Sequence, residues 1–430
     1  MKDLSYVRTE MLPEQAPPPG QTGVIRWIRE NLFSGWLNSI LTLAAIAAVY
    51  FALKAIIPWA FDSTWNASSL NECRETAPGA CWAVIHERWP QLLFGFYPNG
   101  NDGHPDQRWR IVVAFILLIV AVAPVLFDKL PRKMIWFSAV YPFLGFWLLW
   151  GGTIWGPLMV MAGFGIGYGV YRVLAPVAGN LLAVIVSLLV PVIWWLFLAG
   201  PVTGILNGIA NIGLPDVPSS KFGGLALSVT IGVAGIALSF PLGVLLALGR
   251  QSNLFIIKTL SVGYIEFIRG VPLITLLFVA SVLLNYFMPP GTSFDIILRV
   301  VIMVTLFAAA YMAEVIRGGL AALPRGQYEA ADALGLDYWK ANRLVIMPQA
   351  LKISIPGIVG TFIGLFKDTT LVSIIGLMDP LALTNAIRAD QDWNGIVWEL
   401  YLFVAFLFWI FTFSMSRYSM YLEHKLHTGH

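Results

Sequence analysis

Residues 222–249 make a run of 28 positions without one charged side chain. A helix needs about 20 apolar residues to cross a hydrocarbon core of about 30 Å. Further apolar runs lie near 37–58, 111–127, 134–150, 155–174, 181–199, 260–287, 295–317, 351–376 and 396–415, which makes ten candidate spans. In lipid every backbone amide must find its partner within the protein, so such runs are helices. A barrel would need short strands of alternating polarity instead. Composition agrees: 58% of the residues are hydrophobic and only 12% are charged, about half the charge of a soluble domain. The expected fold is all-α, a polytopic membrane helical bundle with about ten transmembrane helices. Gly151, Gly152 and Pro157 interrupt the third and fourth runs.

Lys and Arg set orientation, because they accumulate in cytoplasmic loops. With the N-terminus inside, Lys129, Arg132, Lys133, Arg250, Lys258, Arg325, Lys340 and Arg343 are all cytoplasmic. The short outside loops then hold only Lys221 and Arg388. Both termini are expected inside and loop 59–110 outside, in the periplasm of a Gram-negative cell. Cys73 and Cys81 lie in that loop and read as a disulfide, since that compartment is oxidising. Two free thiols are the alternative; a metal site with His86 lacks the usual ligand spacings. The tail before the first run holds Pro17, Pro18, Pro19 and Gly20, and its end, Ile25 to Arg29, reads as a short amphipathic helix on the membrane surface. No cleavable signal peptide precedes the first run. Nucleic acid is not an expected partner, because no basic run interleaves with aromatics.

The chain divides near residue 220, after the connection Asn211 to Ser220 with Gly213, Pro215 and Pro218. Beyond that point lies its most distinctive segment, between the eighth and ninth runs. Pro324 suits the first turn of a helix, and Gln327 to Leu334 contains three alanines among good helix formers. Gly335 is placed to end that helix in a left-handed conformation. Asp337 can cap a second short helix, and Pro348 limits how far it runs. Ala330, Ala331, Ala333 and Leu334 give a small, smooth surface that a partner's backbone can approach closely.

The order Glu329-Ala330-Ala331, Gly335, Ile346 and Pro348 resembles the loop signature of permease subunits of binding-protein-dependent ABC importers, with Met347 where that family often has Leu. Phe267-Ile268-Arg269-Gly270-Val271-Pro272-Leu273, Ala313-Glu314-Val315-Ile316-Arg317-Gly318-Gly319 and Lys367-Asp368-Thr369-Thr370-Leu371-Val372-Ser373 resemble segments of its polar amino acid branch. The resemblance covers residues 222–420, and the long N-terminal extension is similar to the general L-amino-acid importers. It implies a type I permease core at 221–420, with a coupling loop at 317–350 that docks on a separate ATP-binding ABC subunit. Glu329 would there pair with a basic group on the ATPase. Residues 1–36 are then a cytoplasmic tail, 37–220 a membrane extension and 421–430 a second cytoplasmic tail. The implied partners are that ATPase, a second and different permease subunit, a periplasmic amino-acid-binding protein and membrane lipid. The implied location is the bacterial inner membrane.

Glu266, Arg269, Arg299, Glu314, Lys367 and Asp368 fall in or near spans. Each costs roughly 2.5–3.5 kcal/mol at a helix centre on insertion scales, so none should face lipid. Arg269, Lys367, Asp368 and Thr369 are the candidate substrate path; pairing that fixes helix packing is the competing reading. Glu314 and Arg317 have the spacing of an ion pair on one helix face. Gly163, Gly165, Gly167 and Gly169 predict close helix packing, and Lys54 can snorkel to the interface. The sequence has no Gly-x-x-x-x-Gly-Lys-Ser/Thr loop to cradle phosphates, no Ser-His-Asp arrangement and no paired carboxylates. Its five histidines are His86, His104, His424, His427 and His430, so no cluster lies inside the membrane. The expectation is a transport subunit without catalysis or metal of its own, with ATP and Mg bound by the partner. An ion-gradient-driven secondary transporter is the alternative, but it gives no reason for the Glu329 segment and no matched halves are visible.

The charge bias generates a topological prediction. A cysteine introduced at Asn101 should react with an impermeant reagent in intact spheroplasts. Reaction only after lysis would place 59–110 inside and reverse the topology.

Overall fold

The structure is a computed structural model that describes residues 23–100, 105–127, 129–283, 286 and 294–426. The Pro17 to Gly20 tail, Lys2, Arg8, Asn101, His104, His427 and His430 lie outside the described residues. Two compact units divide at Ala83 and Val84.

The first unit, Met1–Ala83, contains helices α1 (Gly23–Asn31), α2 (Trp36–Phe61) and α3 (Leu70–Thr76). Helix α1 places Val24, Ile25, Trp27 and Ile28 beside Arg26 and Arg29, an amphipathic turn pattern, while α2 is apolar on every side. Ser69 caps α3 by accepting from the Glu72 amide at 3.3 Å. The Glu72 carboxylate returns to the Ser68 amide and hydroxyl at 2.8 Å, and these hydrogen bonds hold its pKa below the usual range. Cys73 and Cys81 are bridged, with Cα atoms 5.8 Å apart. Gly79 lies against the backbone of Trp59 and Asp62 with no room for a side chain.

In the second unit, α4 (Ala83–Phe94) precedes the hairpin of α5 (Arg108–Leu126) and α6 (Ile135–Trp150), then α7 (Trp155–Ala178) and α8 (Asn180–Ile209). Next come α9 (Gly224–Gln251), α10 (Phe255–Gly270), α11 (Leu273–Leu283) and α12 (Ile296–Ala321). Helix α13 (Arg325–Ala333), the long run α14 (Tyr338–Ile375), α15 (Pro380–Arg388) and α16 (Trp398–Leu426) complete it. Strands β1 (Gly152–Thr153) and β2 (Gly213–Leu214) pair antiparallel and join the start of α7 to the end of α8. Among the described residues eight helices are long and apolar enough to cross a membrane, or nine when one bent pair counts as a span.

Two of the ten expected spans differ from simple rods. The run read as 260–287 is two helices, α10 and α11, that meet at 99°. Pro272 lacks an amide hydrogen and forces Val271 out of the helical region, to φ −109°, ψ 131°. Helix α6 has 16 residues, about 24 Å of rise, and stops at Gly151 and Gly152, which take φ +82° and +78°.

Small residues fix the spacing of the long helices. Gly163 and Gly167 of α7 face Trp195 and Pro191 of α8 where a Cβ would collide, whereas Gly165 and Gly169 touch nothing. Two of the four glycines thus carry the packing. In the same way Gly235 and Gly243 of α9 admit Val304 and Met312 of α12, and Gly319 of α12 admits Ala350 and Ser354 of α14.

The N-terminal helices of this unit share one apolar core with those after residue 220. Ile111, Ala114, Leu148 and Leu149 pack with Phe222, Leu227, Ile231, Val300 and Val304. Gly95 bridges Phe222 and Gly223 bridges Met378, side by side. Arg88 pairs with Asp390 at 2.9 Å. Tyr97 donates to the Leu149 carbonyl at 2.7 Å, and burial pushes its hydroxyl up to about 12. Arg110, the last residue of the expected 59–110 loop, is fully buried. Its guanidinium donates to the carbonyls of Leu148 at 2.6 Å and Pro215 at 2.8 Å, with the Tyr97 ring 5.9 Å away.

This geometry predicts that Arg110→Ala orphans the buried Leu148 carbonyl, at a cost of about 1–3 kcal/mol, and leaves the part-buried Pro215 carbonyl without its guanidinium partner. The thermal midpoint of the detergent-solubilised protein should fall clearly. An unchanged midpoint would mean that water satisfies the Leu148 carbonyl as well as the guanidinium does.

Candidate functional site

Helix α13 forms where the sequence places it, and its end shows why Gly335 is required. The Gly335 amide donates to the Asp332 carbonyl at 2.9 Å and the Leu336 amide to the Ala331 carbonyl at 3.2 Å. Gly335 takes φ +68°. This is the paired hydrogen-bond arrangement that ends a helix through a left-handed residue. Asp337 then caps α14 by accepting from the Lys340 amide at 3.0 Å. The Lys340 ammonium, 2.8 Å away, holds its carboxyl below the usual range.

Two contacts tie α13 to the spans. Tyr328 donates to the Leu320 carbonyl at 3.3 Å, and Gln349 donates to Gln327 at 2.9 Å. Burial raises the Tyr328 hydroxyl pKa. Ile346 is buried with Leu320, Leu323, Met347 and Ala350.

Glu329, Ala330 and Gly335 are exposed, as is Pro348, but Ala331 is buried. The smooth surface expected of Ala330, Ala331, Ala333 and Leu334 therefore lacks Ala331, because the helical turn rotates it inward. The second helix also does not stop at Pro348. A π-helical turn at Asn342–Ile346 precedes it, and the extra residue absorbs the ring and missing amide, so the helix continues to Asp368. Leu334, Tyr338, Trp339 and Leu344 are all more than half exposed around this segment. The sequence reading did not assign the last three; the aromatic pair Tyr338-Trp339 in a polar loop was the available signal.

The four path candidates do not converge. Thr369 is fully buried and donates to the Phe366 carbonyl at 2.8 Å. Phe366 and Thr369 lie against Gly232 in the first third of α9, with Lys367 exposed and Asp368 half-buried beside them. Arg269 lies at the other end of the bundle, in the last turn of α10, in a cluster with Arg250 of the last turn of α9. Eighteen residues of α9 separate the two levels, roughly 27 Å.

The Arg269 cluster centres on Glu314, whose side chain is 15% exposed. Arg250 reaches it at 2.8 Å, Arg317 at 3.1 Å and Arg269 at 3.5 Å. Arg250 also holds Glu266 at 2.8 Å, and Arg269 lies 5.6 Å from the Tyr311 ring centre. Its members come from α9, α10 and α12, and α12 leads into α13 through Ala322 to Pro324. Arg250 was read only as a loop charge, and no local spacing links it to Glu314. Among the described residues no group of three His, Cys, Asp or Glu side chains could hold a metal ion.

Comparison with known proteins places these features in a family. Residues 239–428 match the binding-protein-dependent transport system inner membrane component family. The glutamate/glutamine/aspartate/asparagine transport system permease protein BztC of Rhodobacter capsulatus is 59% identical, over 100% of both chains. The inner membrane amino-acid ABC transporter permease protein YhdY of Escherichia coli is 41% identical over 98% of this chain and 99% of its own. A crystal structure of an amino acid ABC transporter with histidines covers 46% of this chain and 90% of its own, at 29% identity and TM-score 0.42. The chain belongs to the binding-protein-dependent transport system inner membrane components: a multi-pass permease subunit, itself not an enzyme.

Proposed function

We propose that this chain is the permease subunit of an ATP-driven amino acid importer, with glutamate, glutamine, aspartate and asparagine as its substrates. The substrate set is that of the BztC relative, alike over its whole length. The observation that carries the coupling role is α13, where Glu329 and Ala330 stand exposed on a helix locked at Gly335 and tied to α12 and α14. Exposed Leu334, Tyr338, Trp339 and Leu344 beside it suit a protein partner rather than water.

In this reading segment 317–350 docks on a separate ABC subunit that binds ATP and Mg. Residues 221–420 are the permease core and 37–220 the membrane extension, with 59–110 in the periplasm. A second, different permease subunit completes the path, and a periplasmic amino-acid-binding protein delivers the substrate. Arg269 meets the substrate near the inner end, and Lys367, Asp368 and Thr369 lie nearer the outer end. A gradient-driven transporter would leave the capped, exposed α13 without a role.

A β-branched residue at Gly335 opposes φ +68°, at a cost of at least about 1–2 kcal/mol. Truncating one partner of a partly desolvated ion pair can cost about 2–5 kcal/mol. Gly335→Val and Glu329→Ala should therefore abolish or strongly reduce uptake of labelled glutamate at normal membrane abundance, with Asp332→Ala as the exposed control. Normal uptake by Gly335→Val at normal abundance would make this segment a mere connector.

A further inference from the structure

Two segments remote in sequence bring their cations together at one end of the bundle. The turn between α5 and α6 carries Lys129, Arg132 and Lys133, and the end of α16 carries Arg417 and Lys425. Tyr418 of α16 donates to the carbonyl of Leu126, the last residue of α5, at 2.5 Å, and its ring lies 6.1 Å from that of Phe127. Tyr421 packs on Tyr418 at 6.1 Å, and Lys425 lies over the Tyr421 ring at 5.8 Å. Lys425 therefore shares the face of α16 that meets the turn. All five cations are exposed. Segments 126–134 and 415–426 contain only two acids, Asp128 and Glu423, so the net charge of the pair is +3. Among the described residues no carboxylate lies within ion-pair distance of Lys129, Arg132, Lys133 or Arg417.

Both α5 and α16 are long and apolar enough to cross a membrane, and Lys129 follows the end of α5 by three residues. Trp136, 78% exposed, stands in the first turn of α6. Cations beside an exposed indole at the end of a span have the composition of the headgroup layer. Val125 and Ile135, also exposed, offer apolar surface next to them. Orientation of the spans calls for cations in each segment, but it gives no reason to tie the two segments together. We propose that this patch is a binding site for an anionic glycerophospholipid. Its phosphate is held by the guanidinium groups of Arg132 and Arg417, which can fork onto two oxygens, and by the flanking lysines. Its acyl chains lie along Val125, Ile135 and Trp136. The site joins the helices before residue 220 to the last helix of the family-matched half, and it is independent of the substrate and of the energy source.

The test uses the full chain, purified with its partners in mild detergent and offered mixed micelles of equal phosphatidylglycerol and phosphatidylcholine. Mass spectrometry then measures the ratio of the two lipids that stay bound. Each cation near an anionic surface strengthens binding about fivefold. Arg417→Gln should therefore lower the phosphatidylglycerol-to-phosphatidylcholine ratio about fivefold. Lys129→Gln, Arg132→Gln and Lys133→Gln together should lower it on the order of 100-fold, to near equality. Tyr418→Phe keeps every charge but loses the tie to Leu126, and it should lower the ratio as well. Arg172→Gln, which removes an exposed cation of α7, should leave it unchanged. Equal retention of both lipids by the wild type would overturn the proposal. So would a ratio unmoved in both Arg417→Gln and Tyr418→Phe, should the triple variant fail to insert. Displacement of phosphatidylglycerol by excess inorganic phosphate would overturn it in favour of a soluble-anion site. Loss of the ATPase subunit from these variants, with lipid retention unchanged, would assign the patch to that partner instead.

Discussion

A carboxylate removed from water must be matched, and Glu314 is matched three times. Removing one partner of a buried pair leaves an uncompensated charge, so Arg250, Arg269 and Arg317 cannot drift from Glu314 independently. That constraint fixes the relative positions of the last turns of α9 and α10 and the lower part of α12. Arg269 precedes the break at Val271 and Pro272 by two residues, and Glu314 precedes α13 by about three turns of chain. The break in the membrane helix and the exposed segment outside it thus share one carboxylate.

Helices α5 and α6 share the core of the helices after residue 220 rather than standing beside it. Helices α5 and α6 contribute Ile111, Leu148 and Leu149 to the same core as α9 and α12. Their polar anchor is Arg110, whose charge is spread over the Leu148 carbonyl near the end of α6 and the Pro215 carbonyl within the 211–220 connection. The Arg88–Asp390 pair and the Gly95 and Gly223 bridges make the same connection. A division of function near residue 220 is therefore compatible with a single folded body from Val84 onward.

The legible parts of the sequence were those set by local chemistry. The cap at Asp337, the glycine end at Gly335 and the Glu314–Arg317 spacing each depend on residues within one or two turns. The spans were legible because an apolar run in lipid has only a helix to form. Hydropathy reports composition but not direction, so it read α10 and α11 as one rod although Pro272 stood between them. It also could not say that a π-helical turn would carry the chain past Pro348. Burial of Ala331 depends on which side of α13 meets Leu320 and Gln349, and that is tertiary. Arg110 and Arg250 escaped for the same reason: their partners, Leu148, Pro215 and Glu314, are remote in sequence.

The central claim is that this chain moves amino acids only when a separate subunit hydrolyses ATP. The most direct measurement is uptake of labelled glutamate into proteoliposomes containing the chain with its partners, with ATP or an imposed ion gradient as the sole energy source. The account predicts uptake that requires ATP and the loaded binding protein, and none driven by a proton or sodium gradient alone. Concentrative uptake driven by such a gradient, in the absence of ATP, would contradict it.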